Sequence, residues 1–168
     1  MGGTRKSLKK WVKSLPKSKM AFPGRFDERL RYLMWRLYAP AHPFLRGALA
    51  FAGVEVYPGR GRYLIGRIAP EHSLADFVNH LIGLGFGNHY VAWRHEGELL
   101  GLRLVKDFKY QYHLRIFEDG EVRGHYEYTP ECYPVKHARQ KDMERRREDF
   151  LEFLQGWIVP QHEEALAR

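Results

Sequence analysis

Between Lys109 and Tyr128, apolar and polar side chains alternate one for one on either side of Glu118-Asp119-Gly120. A period of two marks a strand with unlike faces. A three-residue loop ending in Gly is the connection used by a type I turn with a bulge. The pattern predicts a β-hairpin in which Gln111 opposes Glu127, His113 opposes His125, Arg115 opposes Arg123 and Phe117 opposes Glu121. One face then carries Tyr110, Tyr112, Leu114, Ile116, Val122, Tyr126 and Tyr128. The other carries Gln111, His113, Arg115, Arg123, His125 and Glu127, and is expected to face solvent, as one side of an antiparallel sheet commonly does. Like charges directly opposed are mildly destabilising. Arg facing Arg and His facing His make sense on a wall that receives an anion.

The same reading extends along the chain. Helical spacing of apolar residues predicts a helix over 27–38 with Leu30, Leu33, Met34 and Leu37 as its buried stripe, and a short helix over 43–51. Ser73-Leu74-Ala75-Asp76 is a capping start for a helix over 73–84 with Leu74, Phe77, Val78, Leu81 and Ile82 inward. Gly83, Gly85 and Gly87 follow that helix, whereas a phosphate cradle needs its glycines in front of one; they read as a C-cap and a loop. Hairpins are expected over 54–57 and 62–68, around Pro58-Gly59-Arg60-Gly61, and over 89–94 and 98–105, around His95-Glu96-Gly97. A long helix over 138–155 uses Met143, Phe150, Leu151 and Leu154, with Trp157 and Ile158 extending the stripe and Arg145, Arg146 and Arg147 on a solvated face. Together these elements predict an α+β fold: an antiparallel meander sheet of about four to six strands with helices packed on one face. The expected organisation is a basic, flexible arm over 1–25, a single domain over 26–160 and a polar tail over 161–168.

Charge changes the picture only at the N-terminus. The chain has 168 residues and a net charge of +8, from 28 basic and 20 acidic side chains. Eight of the basic residues lie in 1–25, ahead of the first acid, Asp27, so the remainder is balanced. Basic N-terminal arms commonly contact nucleic-acid phosphates. Within the arm, Leu8, Trp11, Val12 and Leu15 fall at helical spacing among lysines, with Pro16 as a stop. Such a segment can fold on RNA, lie on an acidic membrane surface, act as an organelle presequence or serve as a solubilising tail. Lys9, Lys10, Trp11 and Lys13, with Arg60 and Arg62 at a hairpin tip and Gln111 on the wall, are the candidate nucleic-acid contacts. A lone Cys132 excludes a disulfide framework and favours a reducing, cytoplasmic setting. No apolar run approaches the roughly 20 residues that span a bilayer.

The polar wall points to phosphate chemistry. A metal-independent ribonuclease needs a base for the 2′-hydroxyl, an acid for the leaving 5′-oxygen and cations for the pentavalent phosphorane. Glu127 can serve as base and His113 or His125 as acid, while Arg115 and Arg123 hold phosphate by forked hydrogen bonds. These five residues are the candidate catalytic set. A metal reading would use His113, His125 and Glu127 with His137 as a fourth ligand. It ranks below the metal-free one because no compact metal motif occurs and arginines flank the ligands, so no metal and no cofactor is expected.

The run Tyr110-x-Tyr112-His113, Asp119-Gly120, Arg123, Tyr126-Glu127, Pro130, Pro134 and His137 resembles the TumE-like toxins of bacterial toxin–antitoxin pairs. The likeness covers about a quarter of the chain, residues 98–139. The aromatic-Asp-Asn-Ala-Pro run of that family stands here as Tyr126-Glu127-Tyr128-Thr129-Pro130, and its paired histidines after the proline are Glu131 and Cys132. The resemblance implies a small intracellular toxin with RNA-directed action and a cognate antitoxin. The expected function is therefore a toxin-like, metal-independent endoribonuclease. The alternative is a non-catalytic module that grips RNA or a ribonucleoprotein through the arm and the wall. A third class is an interaction protein whose arm recruits an acidic partner or a membrane.

Overall fold

The central hairpin forms in the expected register: Gln111 faces Glu127, His113 faces His125 and Arg115 faces Arg123. Gly120 closes its turn at φ 80°, a left-handed conformation that costs glycine nothing, and its amide donates to the Phe117 carbonyl at 3.0 Å. The computed structural model describes residues 2–20, 23–41, 44, 48, 51, 63–88, 97–133, 137 and 146–161, without the side chains of 2–6 and Lys9. The expected elements over 43–51, 54–57, 89–94 and 138–145 lie largely or wholly outside these residues.

Among the described residues the strands are β1 (Leu64–Ile68), β2 (Gly87–Asn88), β3 (Glu98–Val105), β4 (Tyr110–Phe117), β5 (Glu121–Tyr128) and β6 (Ile158–Pro160). They form one open antiparallel sheet in the order β2-β3-β4-β5-β1-β6. The helices are α1 (Gly2–Ser14), α2 (Phe26–Tyr38), α3 (Leu74–Gly83) and α4 (Arg147–Phe153). The fold is thus α+β, as the pattern predicts.

One sheet face builds the apolar core. Leu100, Leu102, Tyr112, Leu114, Ile116 and Val122 meet Phe77, Val78 and Leu81 of α3 and Phe150 and Leu154 around α4. Ser73 caps α3 reciprocally: its Oγ accepts from the Asp76 amide at 3.1 Å and donates to the Asp76 carboxylate at 2.6 Å. Phe150 packs so close to the sheet that a Cβ on Gly124 would lie 2.8 Å from its ring. Gly124 is therefore the gap that lets α4 dock.

The N-terminal segment belongs to this core. Val12 is buried, and Leu8, Trp11 and Leu15 pack against the cluster. Beyond α1 the chain runs beside β2: the Asn88 amide donates to the Pro16 carbonyl at 2.7 Å, and the Ser18 amide to the Asn88 carbonyl at 3.1 Å. The Asn88 side chain donates to the Val12 carbonyl at 2.9 Å. Covering the sheet edge in this way satisfies groups that would otherwise be open to another chain.

Three expectations need correction. The stripe of α2 is not buried: Leu30, Leu33, Met34 and Leu37 are 51–70% exposed. The helix is held instead by Arg31, which lies over Tyr133 and reaches the Cys132 carbonyl, and by Tyr32 edge-on to Phe108. Helical spacing identifies an apolar face but not what lies opposite it. The C-terminal helix does not run unbroken through 146, because Arg146 sits at φ 39° with its guanidinium over the Tyr126 ring; α4 begins after it. Arg147 is not a solvated residue: it donates to the Leu64, Ile65 and Gln161 carbonyls at 2.5, 3.1 and 2.6 Å, clamping the ends of β1 and β6.

The two apolar stripes should respond differently to truncation. Val12→Ala is expected to lower stability by about 2 kcal/mol, the scale of a buried valine side chain plus residual cavity. Met34→Ala on the exposed α2 stripe should stay within about 0.5 kcal/mol of wild type. Urea unfolding midpoints of the two variants check this; equal destabilisation would contradict the placement of α1.

Candidate functional site

Strand alternation places Gln111, His113 and Arg115 of β4 beside Arg123, His125 and Glu127 of β5. The pairing of Arg103 with His113 adds β3 to the same face. Glu127 lies at the centre. Its Oε1 accepts from Gln111 Nε2 at 2.9 Å and lies 3.2 Å from His125 Nε2 and 3.4 Å from His113 Nδ1. Its Oε2 lies 3.2 Å from His137 Nδ1, which is 3.0 Å from the Tyr128 carbonyl. The His113 and His125 rings meet edge to face, with centroids 5.0 Å apart. The two imidazoles therefore share one environment, as the register predicts.

That environment is not open to solvent as expected. Gln111 is fully buried, and His113, Arg123, His125 and Glu127 are only 3–4% or, for His125, 6% exposed. The wall is covered from several directions. Tyr63, at φ 64°, brings its ring 5.8 Å from His125. The turn after β5 supplies Glu131 and His137, and the segment after α1 supplies Ser18. Polar alternation cannot distinguish a wetted face from one whose hydrogen bonds are made internally, and here most are. Arg103 forks onto Glu131 at 2.8 and 3.0 Å, donates to Gln111 Oε1 at 3.0 Å and reaches Ser18 Oγ at 2.6 Å. One network thus runs from Ser18 through Arg103, Gln111 and Glu127 to His137.

The arginines divide by partner. Arg123 Nη2 is 2.5 Å from Glu121 Oε1, so much of its charge is answered within the strand. Arg103 is answered by Glu131. Arg115 is half-buried, and among the described residues its Nε has no hydrogen-bond partner. His137, with a side chain 28% exposed, is the member of the Glu127 cluster most open to water.

Burial and pairing set the charges. Burial pushes His113 down to about 3, against the opposing pull of Glu127, so it is neutral near pH 7. Burial alone would raise Glu127, but the charges on His137 and His125 and hydrogen bonds from His113 and His125 hold it well below the carboxylate range. Burial works against protonation of His137, yet Glu127 and the Tyr128 carbonyl raise it above the usual imidazole value. The arrangement is an ionised carboxylate between a readily protonated imidazole at the surface and a neutral one inside. Donor atoms of His113, His125 and Glu127 also lie within 4.8 Å of one another, so these three could hold a metal ion.

The other candidate contacts separate from this cluster. Gln111 is inside it. Lys10 and Lys13 are exposed on α1, while Trp11 is half-buried against the apolar core. The Lys9 side chain, Arg60 and Arg62 lie outside the described residues. Tyr110 stacks on Tyr126 and Tyr128 at centroid distances of 5.3 and 4.9 Å on the opposite sheet face, as their parity predicts. Sequence reasoning missed Glu131 and Ser18 as network members, and it placed His137 only as a metal ligand. Glu131 and His137 lie beyond the last strand of the hairpin, where no periodicity fixes a side chain's direction. Comparisons with family models, curated proteins and solved structures give no match.

Stability should pass through a maximum near pH 6.5. His113 binds a proton more readily unfolded than folded, so stability falls as pH drops from about 6.5 toward 3; Glu127, depressed in the fold, adds to that decline below about 4.5. His137 has the opposite sign: its raised value stabilises the fold at low pH, and that contribution fades as pH rises through it. Urea midpoints across pH 4–9 check the shape. His113→Gln should flatten the acid limb and His137→Gln the alkaline one.

Proposed function

We propose that this chain is an RNA-directed, toxin-like endoribonuclease whose proton transfers run through the Glu127 cluster and need no metal. The observation that carries the reading is a single buried carboxylate with the imidazoles of His113, His125 and His137 within 3.4 Å of its oxygens. His137, raised and partly exposed, suits the acid that protonates the departing 5′-oxygen. His125, 3.2 Å from Glu127 Oε1 and with the neutral His113 ring edge-on beside it, is placed to serve as the base that takes the 2′-hydroxyl proton. Glu127, held firmly ionised, suits orienting and polarising these rings better than removing the proton itself, the role a carboxylate plays beside a catalytic histidine. Arg115, whose Nε has no hydrogen-bond partner among the described residues, suits the phosphorane charge. Exposed Lys10, Lys13, Lys17 and Lys19 offer backbone contacts. The toxin assignment, with a cognate antitoxin as protein partner and a cytoplasmic setting, comes from the resemblance over 98–139.

Burial of the wall favours a second reading, a binding module in which the lysines hold RNA or a ribonucleoprotein and the polar network is structural. The two differ in products. Incubation of total RNA in EDTA should yield 2′,3′-cyclic phosphate ends with wild type, and rates should fall at least about 100-fold in His137→Gln and His125→Gln, the usual scale of one proton-transfer group. The rate should also fall as pH rises through the raised His137 value. Tight binding without products in any variant would replace the enzyme with the module. In that case serine at positions 10, 13, 17 and 19 should reduce the slope of log affinity against log salt by about 0.7 for each phosphate no longer neutralised. Deleting 1–25 is unsuitable as a test because it removes Val12 from the core.

A further inference from the structure

We infer that His113, His125 and Glu127 form a binding site for a single divalent first-row transition ion of the zinc class. The inference goes beyond the RNA reading and does not rest on it. The three residues come from adjacent strands whose pairing is continuous from Tyr110↔Tyr128 to Ile116↔Val122, so a rigid sheet sets their spacing. A tetrahedral ion about 2.0–2.2 Å from each donor holds neighbouring donors about 3.3–3.6 Å apart. His125 Nε2 and His113 Nδ1 stand 3.2 and 3.4 Å from Glu127 Oε1, close to that spacing without any ion. All the donors lie within 4.8 Å of one another, leaving room for small rotations to complete the set.

The surroundings suit the chemistry. Two imidazoles and one carboxylate are a recurrent ligand set for zinc and related ions, with a further position left for water or an anion. Gln111 donates to Oε1 at 2.9 Å and occupies one lone pair, leaving the second for a metal. His137, 3.2 Å from Oε2, would steady the far oxygen, as outer hydrogen bonds do around ligating carboxylates. The arginines that argue against a cation are largely answered: Arg103 by Glu131 and Arg123 by Glu121. Arg115, whose Nε has no hydrogen-bond partner among the described residues, would favour a bound anion beside an ion. The ion and the acid–base chemistry would compete for the same lone pairs, so zinc should inhibit any EDTA-resistant cleavage.

The test uses full-length protein freed of metal, titrated with Co²⁺ and then Zn²⁺. Expected are visible Co²⁺ absorption bands saturating at one equivalent, displacement by Zn²⁺, and a rise in Tm of at least about 5 °C at saturating metal. Glu127→Gln and His125→Asn should abolish both signals. In wild type, Co²⁺ should broaden the ring-proton resonances of His113 and His125 together, which decides the matter if either variant fails to fold. Absence of stoichiometric bands, or bands unchanged in both folded variants, would overturn the site. RNA cleavage is a separate readout: cleavage only with added metal would support the ion site and sink the metal-free chemistry, while no cleavage with intact metal binding would sink only the latter.

Discussion

A carboxylate buried on the polar face of the sheet is the constraint on which the rest of this molecule depends. An ionised group removed from water costs several kcal/mol unless it is paired and hydrogen-bonded. Glu127 meets that cost by gathering Gln111, His113, His125 and His137 within 3.4 Å of its oxygens. Gln111 in turn accepts from Arg103, and Arg103 needs Glu131 and Ser18. Each partner recruits the next because a half-satisfied buried network is worse than none. The segment after α1, which runs beside β2, and the turn after β5 are drawn onto the sheet by this demand.

The sheet therefore separates two dry layers of opposite character. On one side Leu114, Ile116 and Val122 pack against Phe77 and Phe150 through dispersion and water exclusion. On the other, charges and imidazoles hold each other in place at defined angles. Apolar packing tolerates small slips, whereas a bidentate pair such as Arg103 with Glu131 does not. The polar layer thus adds directional precision to a fold whose bulk stability comes from the apolar layer. Such precision is also what acid–base or metal chemistry requires of its supporting groups.

The same geometry limits how a ligand arrives. His137 at the Glu127 end and Arg115 at the other are the partly accessible members, with the two buried imidazoles between them. A polyanion would meet these two first. The exposed lysines of α1 and the stretch after it lie on a segment anchored by Val12 and Asn88, so their charge is presented from a fixed scaffold.

Much of the hairpin was legible because a strand's side-chain period is two and a Gly turn fixes its phase. From that, His113 opposite His125 and Arg115 opposite Arg123 follow without any coordinates, as do the capped helix from Ser73 and the α+β class. Alternation assigns faces, but it carries no information about what covers a face. That is why the polar wall could be drawn correctly and its wetness wrongly, and why the α2 stripe could be recognised and its burial mistaken. The short strand at Ile158–Pro160, the break at Arg146 and the roles of Glu131, Ser18 and His137 depend on contacts between residues far apart in the chain or beyond regular structure. Local sequence determined which side chains share a surface; only the folded chain decided which surfaces meet, because burial and charge pairing are properties of neighbours brought together by the whole topology.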